Sequence, residues 1–383
     1  MARCTMLLLV ILSLLSANAM AGPTETAAQA KAALAAGNST LAASLFEEIV
    51  SLHPDSPQAP NAALKRAYLA LRLDEPNPDD LFLRAATRYS TTQQAADALR
   101  RLGYISQSKG ELDAAQDYFN QAADHPRQSE IGRAESLVHY AFLDVSKYFA
   151  AGLPDKPGCD GKSAVPPERK AEAADRLEQA RVKFNAATNR MGVSPRTAVY
   201  ASFAQAGIGE TYILEQRWAD AENAYRAGLE LSAKLPSPLE ALLHHGLGIA
   251  LQRQARLPEA LEELDAALRL ASTRGGFLGS GISTSKINAD AACVKSMILI
   301  SQKKPDEAVA VLSQVLEEYA QNRPTRVAPD EWFARVAGWR VIALSRAGRL
   351  AERNAALRDM LAKYAGTQAA AVAATWMQKH GWG

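Results

Sequence analysis

Cysteine is scarce in this sequence. The chain has 383 residues and three cysteines, Cys4, Cys159 and Cys293. A protein of this length with so few cysteines does not rely on a disulfide framework to hold its core together. Spacing alone does not establish a bridge between Cys159 and Cys293, and we expect no disulfide between them.

Aromatic residues are also few, and neither sign of charge is in large excess. Aromatic side chains make up 7% of the chain, and alanine is used heavily, which favours closely packed helices over a β-sandwich. The 43 basic residues are nearly balanced by 41 acidic ones, for a formal net charge of +2. Nucleic-acid-binding proteins usually carry a basic stripe, and anionic membranes attract polybasic clusters. We therefore expect no nucleic-acid partner and no electrostatic membrane anchor.

Long apolar runs are confined to the N-terminus. Arg3 precedes an apolar run over residues 6–15, small residues recur at 17, 19 and 21, and Gly22-Pro23 follows. This pattern predicts a secretory signal peptide over residues 1–21, with an uncleaved N-terminal anchor as the alternative. No later stretch of the sequence is long and apolar enough to cross a membrane, so we expect export without membrane insertion after cleavage.

Three stretches of the chain share one spacing of small and large residues. In each, a glycine is followed by an alanine and then by a large apolar residue at the same offsets. The three sets are Gly103, Ala115 and Phe119; Gly209, Ala221 and Tyr225; and Gly248, Ala260 and Leu264. Helices approach closely where the residues between them are small. Each helix pair buries only part of its apolar face, and stacking buries the rest.

Similar helical cues extend along the rest of the chain, and Gln368 to Lys379 has the pattern of a closing helix. The sequence predicts an all-α fold, a right-handed α-solenoid of about seven helix-turn-helix pairs with a C-terminal capping helix. The predicted segments after the signal peptide are N-terminal repeats at 22–150, a Gly/Pro-rich loop at 151–170, central repeats at 171–272, a Gly/Ser-rich loop at 273–286, and C-terminal repeats with the capping helix at 287–383.

These residues resemble the tetratricopeptide repeat family. Its 34-residue unit has small residues at positions eight and twenty and a large apolar residue at position twenty-four. Ala30, Ala42 and Phe46 fit the first unit, whereas Ser296 and Arg353 depart from the pattern near the C-terminus. The chain also resembles exported bacterial repeat proteins of the cell envelope. The resemblance implies a non-catalytic protein that binds a protein or peptide partner.

The resemblance also implies where a ligand binds. In this family the first helix of each pair lines the concave surface, and its second, fifth, ninth and twelfth positions point inward. The residues at such positions are Asp97, Arg100, Tyr104, Gln107, Glu210, His245 and Gln252. An aromatic ring flanked by Arg and Gln suits an extended peptide. The alternative is an ordinary solvated helix face.

Motifs for catalysis, metals or cofactors are not found. The glycine-rich run at 275–281 lacks the Lys and Ser/Thr of a phosphate-binding loop, because Ile282 and Ser283 stand in their places. The adjacent pair His244-His245 diverges by roughly 100° on a helix, which disfavours a shared metal. We expect no cofactor, no metal and no enzymatic activity.

Acidic pairs recur on the second helices, at Glu47-Glu48, Glu262-Glu263 and Glu317-Glu318. Carboxylate catalysis needs two facing groups with separated pKa values, and we interpret these pairs instead as a solvated outer surface.

Trp332 and Trp339 share a helical face, which indicates the core of the last pair. The expected protein is an exported scaffold, periplasmic or alternatively secreted, that acts in envelope assembly, division or transport. A structural spacer without a groove ligand and a helical toroid with sugar-binding or hydrolytic activity remain alternatives.

Overall fold

The structure, a computed structural model, describes residues 22–153, 166–192, 194–231, 237–271, 284–322 and 331–380. The predicted signal peptide at 1–21, residues 154–165 with Cys159, and the glycine-rich run at 275–281 lie outside these ranges. Within them the regular structure is helical, with a 3-10 turn at Pro167–Arg169 and no strand. The helices are α1 (Pro23–Ala35), α2 (Ser39–Leu52), α3 (Ala59–Arg72), α4 (Pro78–Arg88), α5 (Gln93–Ser108), α6 (Leu112–Asp124), α7 (Glu130–Ala150), α8 (Lys170–Met191), α9 (Ala198–Leu214), α10 (Trp218–Glu230), α11 (Ser237–Arg253), α12 (Leu257–Ala271), α13 (Thr284–Ser301), α14 (Pro305–Asn322), α15 (Glu331–Arg346), α16 (Leu350–Lys363) and α17 (Gln368–His380).

The described helices form eight consecutive pairs and a closing helix, close to the predicted count of about seven pairs. Odd-numbered helices are the first members of the pairs and even-numbered helices the second, and α17 packs against α15 and α16. The predicted all-α repeat fold is confirmed. The chain divides into two compact units, which we call unit 1 (up to Ser136) and unit 2 (from Leu137). The division lies within α7.

One turn geometry joins the two helices in seven of the eight described pairs. A residue with positive φ ends the first helix, and the next backbone N–H donates to the carbonyl five residues earlier. The bonds are Asn38 to Ala33, Glu75 to Ala70, Glu111 to Ser106, Arg217 to Tyr212, Arg256 to Leu251, Lys304 to Leu299 and Arg349 to Leu344. This closing bond satisfies carbonyls that the helix end leaves without a partner.

Not all of these turns have glycine at the left-handed position. Ala255 takes φ 60° there, whereas Gly110 takes φ 80° in the equivalent turn of unit 1. A left-handed alanine costs about 1–2 kcal/mol, and glycine in turn loses roughly 0.5–1 kcal/mol more entropy on folding. We expect Ala255→Gly to raise the free energy of unfolding by about 0.5–1 kcal/mol in urea titrations. Gly110→Ala is the reciprocal control and should lower it; a loss for Ala255→Gly would contradict the turn argument.

The small residues of the repeated spacing lie directly under large side chains of the paired helix. A Cβ atom added at Gly103 would lie 2.9 Å from the Phe119 ring, and one at Gly248 would lie 2.8 Å from Leu264 Cγ. Phe119 and Leu264 are fully buried. The absence of a side chain on the first helix therefore lets the second helix seat its large residue, as the spacing predicted.

Tyr225 is held between two pairs in unit 2. A Cβ atom at Gly209 in its own pair would lie 2.7 Å from the ring, and one at Gly246 in the next pair would lie 2.2 Å from it. Burial, reinforced by the negative charge of Glu210, raises the pKa of the Tyr225 phenol well above its usual value. The same ring therefore contributes to packing within one pair and between two.

Ion pairs reinforce the contact between successive pairs. In several of the described pairs, a cation in or beside the turn reaches an acid on the second helix of the preceding pair. Examples are Lys109 with Asp79 at 2.8 Å, Arg256 with Glu222 at 2.7 Å, and Arg349 with Asp306 at 3.2 Å. Exposed pairs of this kind contribute little singly. The Glu222 side chain is only 12% exposed, so its pair is the one whose loss we expect to be measurable.

Acidification should test the Glu222 contacts. Burial opposes ionisation of Glu222, but hydrogen bonds from Gln254, Arg256 and Arg226 outweigh it and lower the pKa below the usual 4.5. A lowered folded pKa gives stability that is present above pH 4.5 and is lost as the pH falls through the folded pKa. We expect Glu222→Gln to destabilise at pH 7 and to differ less from the natural protein at pH 3.5. In urea titrations Glu230→Gln, exposed on the same helix, is the control, and an equal deficit at both pH values would contradict the assignment.

The acidic pairs of the second helices do more than face solvent. Glu47 lies 3.3 Å from Arg66, Glu263 lies 2.5 Å from His244, and Glu318 accepts a hydrogen bond of 3.5 Å from Asn288. One member of each pair thus contacts a first helix, so the interpretation as a purely solvated outer surface is corrected. The carboxylates reach these partners because the second helices pack against the first helices that carry them.

Candidate functional site

The first helices of unit 1 carry the candidate site. α3 and α5 pack side by side, and the hydroxyl of Thr92 caps α5 by accepting the backbone N–H of Ala95 at 3.3 Å. Asp97, Arg100, Tyr104 and Gln107 recur every three or four residues along α5, so they share one face. All four are partly exposed. We call this face, with the adjoining parts of α3 and α7, the first-helix surface of unit 1.

Three of the four predicted residues meet in one network centred on Glu135 of α7. The Tyr104 hydroxyl donates to Glu135 Oε1 at 2.6 Å, and Arg100 Nε lies 3.4 Å from Glu135 Oε2. Arg100 Nη2 also lies 3.0 Å from Asp97 Oδ1. Burial alone would lower the pKa of Arg100, but Glu135 and Asp97 outweigh it and raise the pKa above its usual value. The network is therefore a charge-compensated and fixed part of the surface.

A second feature of the first-helix surface is a ring beneath a guanidinium group. Tyr68 on α3 is 41% exposed and packs edge-on against Phe82, with 5.1 Å between ring centroids. The Arg101 guanidinium carbon lies 5.8 Å from the Tyr68 centroid, within the range of a cation–π contact. Desolvation raises the pKa of the Tyr68 phenol.

Some side-chain N–H groups near this surface make no hydrogen bond within the described residues. Arg100 Nη1, Arg101 Nε and Gln128 Nε2 are buried without a hydrogen-bond partner in the part of the chain that the structure describes. A Cβ atom at Gly132 would lie 2.5 Å from Arg100 Nη1 and 2.3 Å from Gln128 Oε1. A glycine at position 132 thus makes room for both side-chain ends beneath the surface.

The predicted residues of unit 2, Glu210, His245 and Gln252, lie on α9 and α11 and differ in burial. Glu210 is half-buried and close enough to Tyr225 to affect its pKa, and Gln252 is half-buried on α11. His245 is 3% exposed, so its prediction as a surface residue is corrected. It lies on the side of α11 that is packed against neighbouring helices, next to Gly246, which the Tyr225 ring touches.

Glu135 is the site residue that the sequence did not reveal. It lies 31 residues after Tyr104, close to one repeat length, and equivalent positions of successive repeats are neighbours in a stack. That spacing was the available signal. It was obscured because α7 lacks the glycine that marks the eighth position in α5, α9 and α11.

Removal of Glu135 should be more costly than removal of the hydroxyl that it binds. Hydrogen bonds to charged groups contribute about 1.5–3 kcal/mol, and loss of a buried charge partner costs about 3–5 kcal/mol. We expect Tyr104→Phe to lower the free energy of unfolding by about 1–2 kcal/mol and Glu135→Ala by about 3 kcal/mol. Urea titration followed by circular dichroism measures both. Equal small effects would show that the network does not hold α5 and α7 together.

Other kinds of site are not found in the described ranges. No group of three or more His, Cys, Asp or Glu side chains there could hold a metal ion. Of the helices described, none combines the length and the apolar character needed to cross a bilayer.

Comparison with known proteins agrees with this geometry. Residues 96–124, the α5–α6 pair, match the tetratricopeptide repeat. No curated protein matches the chain by sequence. Similar solved structures include a tetratricopeptide repeat protein from Parabacteroides merdae, at 9% identity and a TM-score of 0.48, with 84% of this chain and 98% of that chain covered. A chain of the APC/C hetero-tetramer Cut9–Hcn1 has 12% identity and a TM-score of 0.51, with 95% of this chain and 57% of that chain covered.

The similarity to Cut9–Hcn1 shows a shared fold alone, since the identity is low. The helix pairs, the turn geometry and the small-to-large contacts define an α-helical repeat protein. The chain contains a tetratricopeptide repeat at residues 96–124 and has the fold of tetratricopeptide repeat proteins, which confirms the resemblance found in the sequence.

Proposed function

We propose that this protein is a non-catalytic scaffold that binds a segment of a partner protein on the first-helix surface of unit 1. Stacked helical repeats generally present extended surfaces for protein partners. The observation that carries the proposal is the exposed Tyr68 ring with Arg101 above it, because aromatic rings and guanidinium groups dominate binding energy at protein interfaces.

The network centred on Glu135 lies beside Tyr68 and Arg101 and gives these two side chains a rigid setting. Asp97, Arg100, Tyr104 and Glu135 hold one another across α5 and α7. Because both carboxylates are engaged by Arg100, they are poorly suited to act as an acid and a base with separated pKa values. Gln107 lies on the same face of α5 and is partly exposed, so it extends the surface that a bound segment would contact.

Removal of the Tyr68 and Arg101 side chains should abolish the selection of peptides from a library. A random-peptide phage library is panned on the full-length protein, and then on a Tyr68→Ala/Arg101→Ala variant. We expect enrichment on the natural protein and none on the variant. Leu83→Ala is the matched control, since Leu83 is 45% exposed on a second helix of the same unit. Unchanged selection by the double variant, or equal loss with Leu83→Ala, would reject this surface. Circular dichroism verifies that each variant is folded.

We further propose that the protein acts outside the cytoplasm, in the bacterial periplasm or as a secreted protein, in envelope assembly, division or transport. The support is the signal-peptide pattern over residues 1–21. N-terminal sequencing of the protein from cells should find a mature chain that starts after Ala19 or Ala21. A chain that still begins at Met1 would contradict cleavage.

A further inference from the structure

Tyr68 on α3 and Tyr104 on α5 occupy equivalent places in two successive pairs of unit 1. Each lies two residues before the carbonyl that accepts the closing bond of its turn. Tyr68 packs edge-on against Phe82, with 5.1 Å between ring centroids and 84° between ring planes, and Tyr104 packs against Phe119 at 5.0 Å and 82°. The two rings are therefore held alike, each on a fully buried phenylalanine of its own pair.

The two hydroxyl groups differ in what the next first helix brings to them. Glu135 of α7 accepts the Tyr104 O–H at 2.6 Å with Oε1, and its Oε2 lies 3.4 Å from Arg100 Nε. The residue at the same spacing after Tyr68 is Leu99, which is partly buried against the core of unit 1. Among the described residues the Tyr68 hydroxyl makes no hydrogen bond. α5 therefore supplies no carboxylate to Tyr68 where α7 supplies one to Tyr104.

A guanidinium group nevertheless lies beside Tyr68. The Arg101 guanidinium carbon is 5.8 Å from the Tyr68 ring centroid, and Arg101 makes no ion pair within the described ranges. Asp97 and Glu135 keep their charges nearby, but both contact Arg100, at 3.0 and 3.4 Å. Arg101 is therefore a cation that no carboxylate of the described residues contacts, next to a phenol O–H that donates to none.

We propose that the segment bound at the first-helix surface of unit 1 carries an aspartate or glutamate whose side-chain carboxylate accepts the Tyr68 O–H and pairs with Arg101. This carboxylate would take the place that Glu135 has beside Tyr104 and Arg100. The inference rests on the proposed function and adds the chemistry of the partner. Hydrogen bonds in which one group is ionised are the stronger ones. Tyr68 is 41% exposed, so its side chain is open to a bound segment.

A selected peptide tests this chemistry. A peptide from the library panned on the full-length protein is synthesised with an amidated C-terminus, and again with each Asp or Glu replaced by Asn or Gln. In fluorescence anisotropy we expect one replacement to weaken binding about tenfold or more. The same replacement should have little effect on the Tyr68→Phe/Arg101→Gln variant, which keeps the ring. Arg84→Gln is the matched control, since Arg84 is an exposed cation on α4, and it should preserve the full effect.

The outcomes separate this inference from the proposed function. Selected peptides without acidic residues, or an equal effect of the replacement on the natural protein and the double variant, would overturn the inference and leave binding at this surface standing. A peptide that binds only with a free C-terminal carboxylate would overturn it as well. If no peptide is selected, the proposed function and this inference fail together.

A carboxylate placed on α5 provides a second test. Leu99→Glu puts one at the spacing that Glu135 has from Tyr104, where it would compete with the bound segment for Tyr68 and Arg101. Leu99→Gln has the same size without the charge. We expect Leu99→Glu to weaken binding of the selected peptide about tenfold or more and Leu99→Gln to change it little. Circular dichroism verifies that both variants are folded, and equal effects of the two would contradict the proposal.

Discussion

Replacement of Tyr225 by alanine is expected to lower the free energy of unfolding by about 3–5 kcal/mol, the usual cost of removing a fully buried aromatic ring. Tyr225 is 2% exposed, and its ring lies against Gly209 and Gly246 of two successive pairs. Because both glycines lack a side chain, neither can fill the space that the ring leaves. The deletion should therefore weaken one pair and its contact with the next.

Urea unfolding followed by circular dichroism measures this loss. Tyr68→Ala provides a comparison, since that ring is 41% exposed and its removal opens no buried cavity. We expect its cost to be well below that of Tyr225→Ala. Similar costs for the two tyrosines would mean that the ring between Gly209 and Gly246 does not hold the pairs together.

Gly246→Ala and Gly338→Ala are expected to change stability in opposite directions. Alanine in a helix is favoured over glycine by about 1 kcal/mol. At Gly338 the added Cβ would meet Met360 Cε at 3.5 Å, an ordinary contact, so the helix preference should prevail. At Gly246 it would lie 2.2 Å from the Tyr225 ring, and overpacking of a rigid core costs about 1–3 kcal/mol or more.

Thermal and urea unfolding of both variants measures the difference. The two glycines are matched, since each lies inside a first helix of unit 2. A stabilising Gly246→Ala would show that the ring moves aside freely. A destabilising Gly338→Ala would show that helix glycines are needed here for a reason other than the ring contacts.

The sequence was sufficient for the repeats because their signal is local and periodic. Gly103 and Phe119 belong to one pair, and their spacing placed them on the first and second helices of that pair. The turns were harder to predict. Gln216, Ala255 and Lys303 take positive φ where other pairs have glycine, because the packing of the two helices imposes the turn whichever residue occupies it.

The candidate site could be predicted only in part. Periodicity placed Asp97, Arg100 and Tyr104 on one face, but the contact of Tyr104 with Glu135 depends on how far α7 is shifted along α5. Periodicity also cannot separate a residue at the edge of an apolar face from one at its centre. Tyr68 lies at such an edge and is exposed, whereas His245, predicted at the surface, is enclosed.

The docking surface proposed for unit 1 depends on the stack that these contacts build. Tyr68 and Arg101 meet only because α3 and α5 lie side by side. Variants that disturb the glycine contacts should therefore be kept apart from variants that probe binding.

A double-mutant cycle between Gly246→Ala and Tyr225→Leu tests the central claim most directly, namely that glycines of the first helices serve to seat large side chains of the second helices. Leucine lacks the Cε and Cζ atoms that lie within 2.7 Å of a Cβ at position 246. We predict that Gly246→Ala costs about 1–3 kcal/mol with tyrosine at 225 and nothing, or a small gain, with leucine there. An equal cost in both backgrounds would contradict the account.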